Sequence, residues 1–194
     1  ENESDCCVCM YYDFEDVGTI VFCDSCNVAI HPECYGLKDI PEGDYFCNTC
    51  VNKTEPVCIL CRRNKGAFKQ IDGDKWAHVF CILISNYYYF SDYENMSNVV
   101  GSLETNSEHS CKICNSSEGE IFTCSCGDEC HIHPLCAFLE GYKFGISEKE
   151  YKCDKYPVFN KLYPLIYCDS DKSNNKRIRE LTYYKEPKKH SKSN

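Results

Sequence analysis

The feature that most constrains this chain is the spacing of its cysteines, many of which are separated by two residues from another cysteine or from a histidine. Four such pairs lie in the first 50 residues: Cys6 and Cys9, Cys23 and Cys26, His31 and Cys34, and Cys47 and Cys50. Two thiolates at this spacing converge on one ion at about 2.3 Å, and two such pairs close a tetrahedral structural zinc site. Eight ligands therefore predict two zinc sites with no open position for chemistry.

Composition helps to decide between metal and disulfides as the use of these cysteines. The chain has 194 residues, of which 19 are Cys, and a formal net charge of −9. Such a cysteine content is typical of a secreted disulfide scaffold or of a set of metal modules. Histidine takes no part in disulfides, and we find neither an apolar secretion signal nor an apolar run that could span a membrane. We therefore expect zinc modules, in an excerpt of a longer polypeptide.

A second group of paired ligands follows the first 50 residues. Its members are Cys58, Cys61, His78 and Cys81, and their spacing predicts one zinc knuckle. Trp76 lies two residues before His78, and we expect it to pack beside the metal. A third group begins with Cys111 and Cys114 and continues with His133 and Cys136, which repeat the His-x2-Cys pair.

The position of the histidine among the first eight ligands is informative. His31 is the fifth ligand, after four cysteines and before three, and this order resembles a PHD finger. A RING finger carries its histidine fourth, after a Cys-x-His element that this chain lacks here. The three groups in this order resemble the PHD, zinc knuckle, PHD (PZP) cassette of the BRPF and JADE scaffold proteins of histone acetyltransferase complexes, over about residues 5–171. The segments VFCDSCNVAIHPECYG, IPEGDYFC, GAFK, KWAHVFC and IHPLCA also carry this resemblance.

The resemblance implies a fold class and a domain plan. The fold would be a small, zinc-rich, mostly irregular α+β structure with an interleaved, or cross-brace, first finger. One zinc would be held by Cys6, Cys9, His31 and Cys34, and the other by Cys23, Cys26, Cys47 and Cys50. The plan would place a PHD finger at 1–52, a zinc knuckle at 53–90, an extended PHD finger at 91–171 and a basic tail or linker at 172–194.

The second site of the third module is ambiguous. In extended PHD fingers the two middle thiolates are several residues apart, so we expect Cys124 and Cys130, with Cys126 as the alternative. The family's last pair is Cys-x2-His, whereas this chain has Cys168 with Asp171 in the histidine position. A carboxylate can bind zinc at about 2.0–2.2 Å, so Asp171 is an admissible ligand. The alternatives at this position are Cys153, Cys126, His190 and a water. Twenty ligands then predict five zinc ions.

The charge of the chain is unevenly distributed. Residues 1–50 contain 11 acidic side chains and a single basic one, Lys38, whereas 172–194 contain 8 basic and 2 acidic side chains. An acidic folded module favours a cationic ligand. In the resembling family that ligand is the amino-terminal tail of histone H3, and the basic tail of this chain is a candidate for a weak DNA contact.

The resemblance also indicates how the first finger would hold a peptide. The segment GTIVFC at 18–23 suits a short strand, whose edge can take up an extended peptide. The docking strand would comprise Thr19, Ile20, Val21 and Phe22. Asp24 would face the second-position arginine of the peptide, and the carbonyls of Pro41, Glu42 and Gly43 would receive its terminal amine. Glu15 and Asp16 are weaker candidates for contacting a lysine.

Whether a PHD finger binds a methylated or an unmodified lysine depends on the presence of an aromatic cage. Ring faces hold a quaternary ammonium, which cannot donate hydrogen bonds. Methyl-reading PHD fingers have a Trp two positions before the zinc-binding His, where this chain has Ala29. Tyr11 and Tyr12 could supply only part of a cage, so we predict preference for an unmodified lysine.

These inferences predict a reader of the histone H3 tail within a larger nuclear regulator. We expect a monomer that is not an enzyme and does not associate with membranes. The alternatives are a RING-like ubiquitin ligase module and a purely architectural, zinc-dependent protein-interaction module.

Overall fold

The computed structural model describes residues 5–10, 19–103, 107–125, 129–148 and 162–167. The strands in these ranges are β1 Val21–Phe22, β2 Ala29–Ile30, β3 Phe68–Asp72, β4 Lys75–His78, β5 Tyr88–Asp92, β6 Ser97–Gly101, β7 Phe122–Thr123, β8 His131–Ile132, β9 Lys143–Glu148 and β10 Leu162–Tyr167. The helices are α1 Pro32–Tyr35, α2 Asn48–Val51, α3 Val79–Ile84 and α4 Pro134–Leu139. In these ranges the strands pair two by two along the chain, β1 with β2 through to β9 with β10, and form five antiparallel two-stranded sheets. The predicted small, mostly irregular α+β fold is confirmed. Within the described ranges, no helix has the length and apolar character needed to cross a membrane.

The same local arrangement occurs three times. The residues that precede α1, α3 and α4 as N-caps are His31, His78 and His133. Each caps a helix that contains the cysteine three positions later, so the imidazole and the thiol are held on the same side of the helix start. Pro32 and Pro134 occupy the first position of α1 and α4, where the fixed φ of proline suits a helix and its missing N–H has no cost.

The first finger and the knuckle share a core. One cluster of buried side chains runs through both, and it includes Trp76 of β4 and Leu135 of α4. The buried Tyr35 joins the two modules, because its hydroxyl donates a hydrogen bond to the Phe68 carbonyl (2.6 Å) and accepts one from the Asn48 N–H (3.3 Å). The ligand groups that the sequence separates are therefore packed together.

Residues 118–120 of the third module dock against the knuckle. The Arg62 Nε lies 2.8 Å from a carboxylate oxygen of Glu118, and the Glu120 N–H donates to the Leu60 carbonyl at 2.9 Å. Between them, a Cβ on Gly119 would lie only 2.6 Å from that carbonyl oxygen. This close approach of two backbones fixes the third module against the knuckle.

The Glu120 side chain strengthens the same interface. It is 3% exposed and accepts hydrogen bonds from the Ser85 hydroxyl and from the Asn86 N–H (2.7 Å), both at the end of α3. Since Glu120→Ala leaves these donors without their acceptor, we expect the free energy of unfolding to fall by about 2–3 kcal/mol. Chemical denaturation of the zinc-loaded chain measures this change.

The matched control for this prediction is Glu118→Ala, two residues earlier. The Glu118 carboxylate forms an ion pair with Arg62 in which both side chains are exposed (53% and 39%), so its loss is expected to cost less than about 1 kcal/mol. Equal destabilisation by the two variants would contradict the role of the buried Glu120 carboxylate.

Candidate functional site

Among the described residues, sixteen of the predicted ligands lie in four clusters. These are Cys6, Cys9, His31 and Cys34; Cys23, Cys26, Cys47 and Cys50; Cys58, Cys61, His78 and Cys81; and Cys111, Cys114, His133 and Cys136. Within each cluster the candidate ligand atoms lie within 4.8 Å of one another. In the first finger the pairs interleave, so that the first and third pairs share one cluster and the second and fourth share the other.

The distances within the clusters fit a tetrahedral zinc ion. The Sγ–Nδ1 distance is 3.3 Å between Cys9 and His31 and again between Cys61 and His78. In the all-cysteine cluster of the first finger, the Sγ atoms of Cys26 and Cys47 are 3.6 Å apart. Ligands at ordinary zinc bond lengths are expected about 3.5 Å apart for sulfur and nitrogen and about 3.8 Å for two sulfurs. The donor atoms therefore surround a volume of the size that zinc requires.

Hydrogen bonds to the far ring nitrogen set the tautomer of two histidines. The Nε2–H of His78 donates to the Lys65 carbonyl (2.7 Å), and the Nε2–H of His133 donates to the Glu118 carbonyl (2.8 Å). Since a carbonyl only accepts, the proton lies on Nε2 and the Nδ1 lone pair faces the cysteines. Such second-sphere hydrogen bonds are typical of zinc-binding histidines.

Backbone N–H groups stabilise one thiolate in every cluster. The first cysteine in each accepts a backbone hydrogen bond at 3.3–3.5 Å: Cys6 from His31, Cys23 from Cys47, Cys58 from His78, and Cys111 from His133. These bonds disperse the negative charge that a thiolate places in a buried site.

The crowding of sulfur atoms shifts their protonation. A hydrogen bond with the Cys34 thiol lowers the pKa of Cys6, and the same contact raises the pKa of Cys34. Cys111 and Cys136 in the third module form the same kind of pair, with the pKa of Cys111 lowered and that of Cys136 raised. Adjacent thiolates cannot all ionise side by side unless a cation lies between them, which is the role of zinc in a set of three cysteines and one histidine.

Two of the residues predicted for a second site in the third module lie within the described ranges. Cys124 and Cys130 are both buried, and the Cys124 N–H donates to the Cys130 carbonyl at 2.8 Å. The Ser125 N–H donates to the Ile166 carbonyl (2.7 Å), which brings the end of β10 to this pair. The other candidates for this site, Cys126, Cys153, Cys168, Asp171 and His190, lie outside the described residues.

The predicted peptide-binding residues lie in β1, directly beside it, and in the loop at residues 41–43. Val21 and Phe22 pair with β2, and Phe22 is 37% exposed. The exposed Asp24 follows this strand, and its carboxylate accepts a hydrogen bond from the Tyr45 N–H (2.6 Å). The Asp24 N–H also donates to the Tyr45 carbonyl (2.8 Å), so the loop that contains residues 41–43 is tied to the end of β1.

The remaining candidates for peptide binding differ in exposure. Thr19, Glu42 and Gly43 are exposed, and Ile20 and Pro41 are half-buried. Tyr11, Tyr12, Glu15 and Asp16 lie outside the described residues.

Comparison with known families identifies these clusters. The family model of the PHD-zinc-finger like domain matches residues 56–171, and that of the PHD-finger matches residues 17–51. The chain belongs to the PHD-zinc-finger-like family. The clusters at residues 58–81 and 111–136 both lie within the longer match, and their composition of three Cys and one His fits zinc-finger ligand sets.

Relatives with curated descriptions extend the match across modules. Over 141 residues, or 70% of its length, the chain is 36% identical to Protein Jade-1 of Xenopus laevis and to that of Bos taurus. The match covers 17% of the Xenopus laevis protein and 28% of the Bos taurus protein. It is 45% identical over 85 residues to Bromodomain and PHD finger-containing protein 3 of Homo sapiens, or 43% of this chain and 7% of that protein. The chain thus spans between about a sixth and about a quarter of the length of these Jade-1 relatives.

A solved structure supports the order of the modules. The crystal structure of zebrafish PHF14-PZP superposes with a TM-score of 0.62 and 29% sequence identity, covering 87% of this chain and 90% of that one. The resemblance to a PHD, knuckle, PHD cassette like those of the JADE and BRPF proteins is confirmed.

Sequence reasoning missed one residue that contacts a Cys/His cluster of this PZP cassette. The Nη2 of Arg63, in the knuckle, lies 3.7 Å from the Sγ of Cys136 in the third module. No spacing rule relates residues 73 positions apart, so the sequence carried no signal for this contact.

Proposed function

We propose that this chain is a chromatin reader that binds the amino-terminal tail of histone H3, with its fourth-position lysine unmodified, as part of a larger nuclear protein. The observation that supports it most is the β1 strand beside the exposed Asp24, in a finger with 11 acidic residues and one basic residue. Membership of the PHD-type family points the same way.

The main chain of β1 supplies the proposed docking edge. In the described part of the chain, β1 has β2 as its only strand partner, which leaves the second edge of Val21 and Phe22 for an extended peptide. Main-chain hydrogen bonds along such an edge give affinity and register, and neighbouring side chains give selectivity. The negative field of the finger attracts a cationic tail to this edge.

Asp24 has two tasks in this proposal. One carboxylate oxygen accepts the Tyr45 N–H and so ties the 41–45 loop to the strand. The second oxygen is proposed to accept the guanidinium of the second-position arginine. Because the loop is held beside β1, the carbonyls of Pro41, Glu42 and Gly43 are proposed to accept the terminal amine of the same peptide.

Ala29 supports the preference for an unmodified lysine. Ala29 lies in β2 opposite Phe22 and is 1% exposed. At this position, where methyl-reading fingers have a Trp, this chain has only the methyl side chain of alanine. Without that ring, the cation–π attraction that holds a trimethylammonium is reduced. Trimethylation is therefore expected to weaken binding.

The zinc sites of the proposal are the four described clusters and one more. The fifth site would consist of Cys124, Cys130, Cys168 and Asp171. Its support is that β10 ends at Tyr167, directly before Cys168, and contacts Ser125 beside the buried Cys124. The basic tail at 172–194, outside the described residues, stays the proposed DNA contact.

Titration calorimetry of the zinc-loaded chain tests the reader function. We expect an unmodified H3 amino-terminal peptide to bind, a peptide trimethylated at the fourth position to bind more weakly, and an amino-terminally acetylated peptide to lose most of its affinity. Tighter binding of the trimethylated peptide would overturn the unmodified-lysine preference. Absence of binding to all three, with autoubiquitination in the presence of a conjugating enzyme, would favour the ligase alternative.

The variant Asp24→Asn tests the carboxylate itself. An amide oxygen can still accept the Tyr45 N–H, so the loop stays tied while the negative charge is lost. We expect affinity for the unmodified peptide to fall about tenfold or more, because hydrogen bonds to a charged group are worth about 1.5–3 kcal/mol. Asp74→Asn, an exposed position in the knuckle, makes the same change in net charge and is the control. An equal effect of both variants would show that only overall charge matters.

A further inference from the structure

Arg63 lies in the knuckle, but its side chain contacts the Cys/His cluster of the third module. Its Nη2 donates to the Sγ of Cys136 at 3.7 Å, and Cys136 is fully buried. The Arg63 Nε is also buried and has no hydrogen-bond partner among the described residues. Arg63 is half-buried, and its contact with the Cys136 sulfur fixes the position of the guanidinium.

The chemistry of the cluster explains what this contact would do. Three thiolates and one neutral imidazole around a divalent zinc leave one net negative charge in a buried site. An N–H donor from a cation withdraws charge from the thiolate, which makes the sulfur a poorer base and a poorer nucleophile. Protonation or alkylation of a ligand sulfur is a route by which zinc is lost.

We propose that Arg63 is a positioning residue for the zinc site of Cys111, Cys114, His133 and Cys136, and that it slows the loss of zinc from this site. Retention of zinc in the third module then depends on a side chain of the knuckle. This inference rests on the zinc assignment of that cluster and is independent of peptide binding.

A second residue of the knuckle, Arg62, is connected to this cluster only through Glu118. The carbonyl of Glu118 accepts the Nε2–H of His133 (2.8 Å), and the Glu118 carboxylate pairs with Arg62 (2.8 Å). Arg62 therefore acts at the edge of the site through an exposed ion pair, whereas Arg63 contacts a ligand sulfur directly. This difference makes Arg62 the matched control for Arg63.

The test compares Arg63→Met, Arg63→Lys and Arg62→Met with the wild-type chain, all loaded with zinc under reducing conditions. Zinc transfer to a colorimetric chelator gives the rate of loss, native mass spectrometry gives the number of ions retained, and peptide mapping after iodoacetamide treatment gives the order in which cysteines react. We expect Arg63→Met to lose one zinc about tenfold faster, as for other second-sphere substitutions at zinc sites. Cys136 should also be alkylated faster in this variant than in the wild-type chain.

The two other variants separate charge from packing. Arg63→Lys keeps a cationic donor and is expected to lose zinc at a rate between those of Arg63→Met and wild type, while Arg62→Met should match wild type. Wild-type release by Arg63→Met would overturn the proposal, as would faster release of every zinc together with a lower melting temperature. A wild-type chain without zinc in this cluster would overturn the metal assignment itself.

Discussion

Removal of zinc by an excess of chelator is expected to unfold the first finger, the knuckle and the third module together. One buried cluster spans residues 6–90 and includes Leu135. Among the described residues, the separate cluster of the third module contains only six buried residues, of which two are the predicted ligands Cys111 and Cys136. Neither cluster is therefore expected to persist without its zinc ions. Each structural zinc contributes roughly 10 kcal/mol or more to such a fold. The loss of amide dispersion in NMR spectra, followed during a chelator titration, measures this transition.

The controls for this experiment separate metal from redox effects. A reductant keeps the thiols free throughout, and re-addition of zinc is expected to restore the dispersed spectrum. Magnesium, which prefers oxygen ligands, should not restore it. A chain that keeps its dispersed spectrum after complete removal of zinc would contradict the claim that metal holds the fold.

Gly36→Ala is expected to destabilise the chain more than Glu120→Ala does. Gly36 follows α1 with φ +76°, and a Cβ at this position would lie 2.0 Å from the Asn95 carbonyl oxygen and 2.7 Å from the Met96 nitrogen. Both are backbone atoms of the turn between β5 and β6, so relief of the clash requires the first finger to move away from that hairpin. Backbone strain and overpacking together are expected to cost about 3 kcal/mol or more.

Gly73→Ala is the matched control for Gly36→Ala. Gly73 also has a positive φ, +50°, but an added Cβ would meet no atom within 4 Å. This variant therefore carries only the conformational cost of a left-handed alanine, about 1–2 kcal/mol. Denaturant titrations of the zinc-loaded variants measure the difference, and equal destabilisation would show that the contact with Asn95 does not hold the hairpin against the first finger.

The ligand groups could be predicted from the sequence because their chemistry imposes a local rule. Two side chains that bind one ion must lie a few residues apart, and the pairs from Cys6 to Cys136 keep that spacing. The choice of which pairs share an ion in the first finger has no such local signal. It came from the family resemblance, since spacing alone left every combination open.

The contacts between modules could not be predicted, because they depend on packing between distant parts of the chain. In the sequence, Tyr35 is an aromatic residue directly after the ligand Cys34, with no sign of a contact to another module. In the structure its hydroxyl donates a hydrogen bond to the Phe68 carbonyl of the knuckle. The predicted boundary between positions 90 and 91 falls inside β5, whose residues Tyr88 and Phe90 are buried in the shared core. Only long-range contacts show how far the modules depend on one another.

The role of Asp24 illustrates a further limit of sequence reasoning. The family resemblance implied that Asp24 faces the peptide, and the structure adds a hydrogen bond from the backbone N–H of Tyr45. A carboxylate between two zinc-binding cysteines suits either task on sequence grounds. The structure shows that Asp24 accepts a hydrogen bond from Tyr45. The proposed contact with the peptide arginine is tested by the Asp24→Asn titration.

Native mass spectrometry of the chain, purified under reducing conditions, tests most directly whether its cysteines and histidines bind metal. We expect five zinc ions per chain, and four after Cys124 and Cys130 are both replaced by serine. A chain that carries no metal and has its cysteines joined in disulfides would contradict the entire assignment.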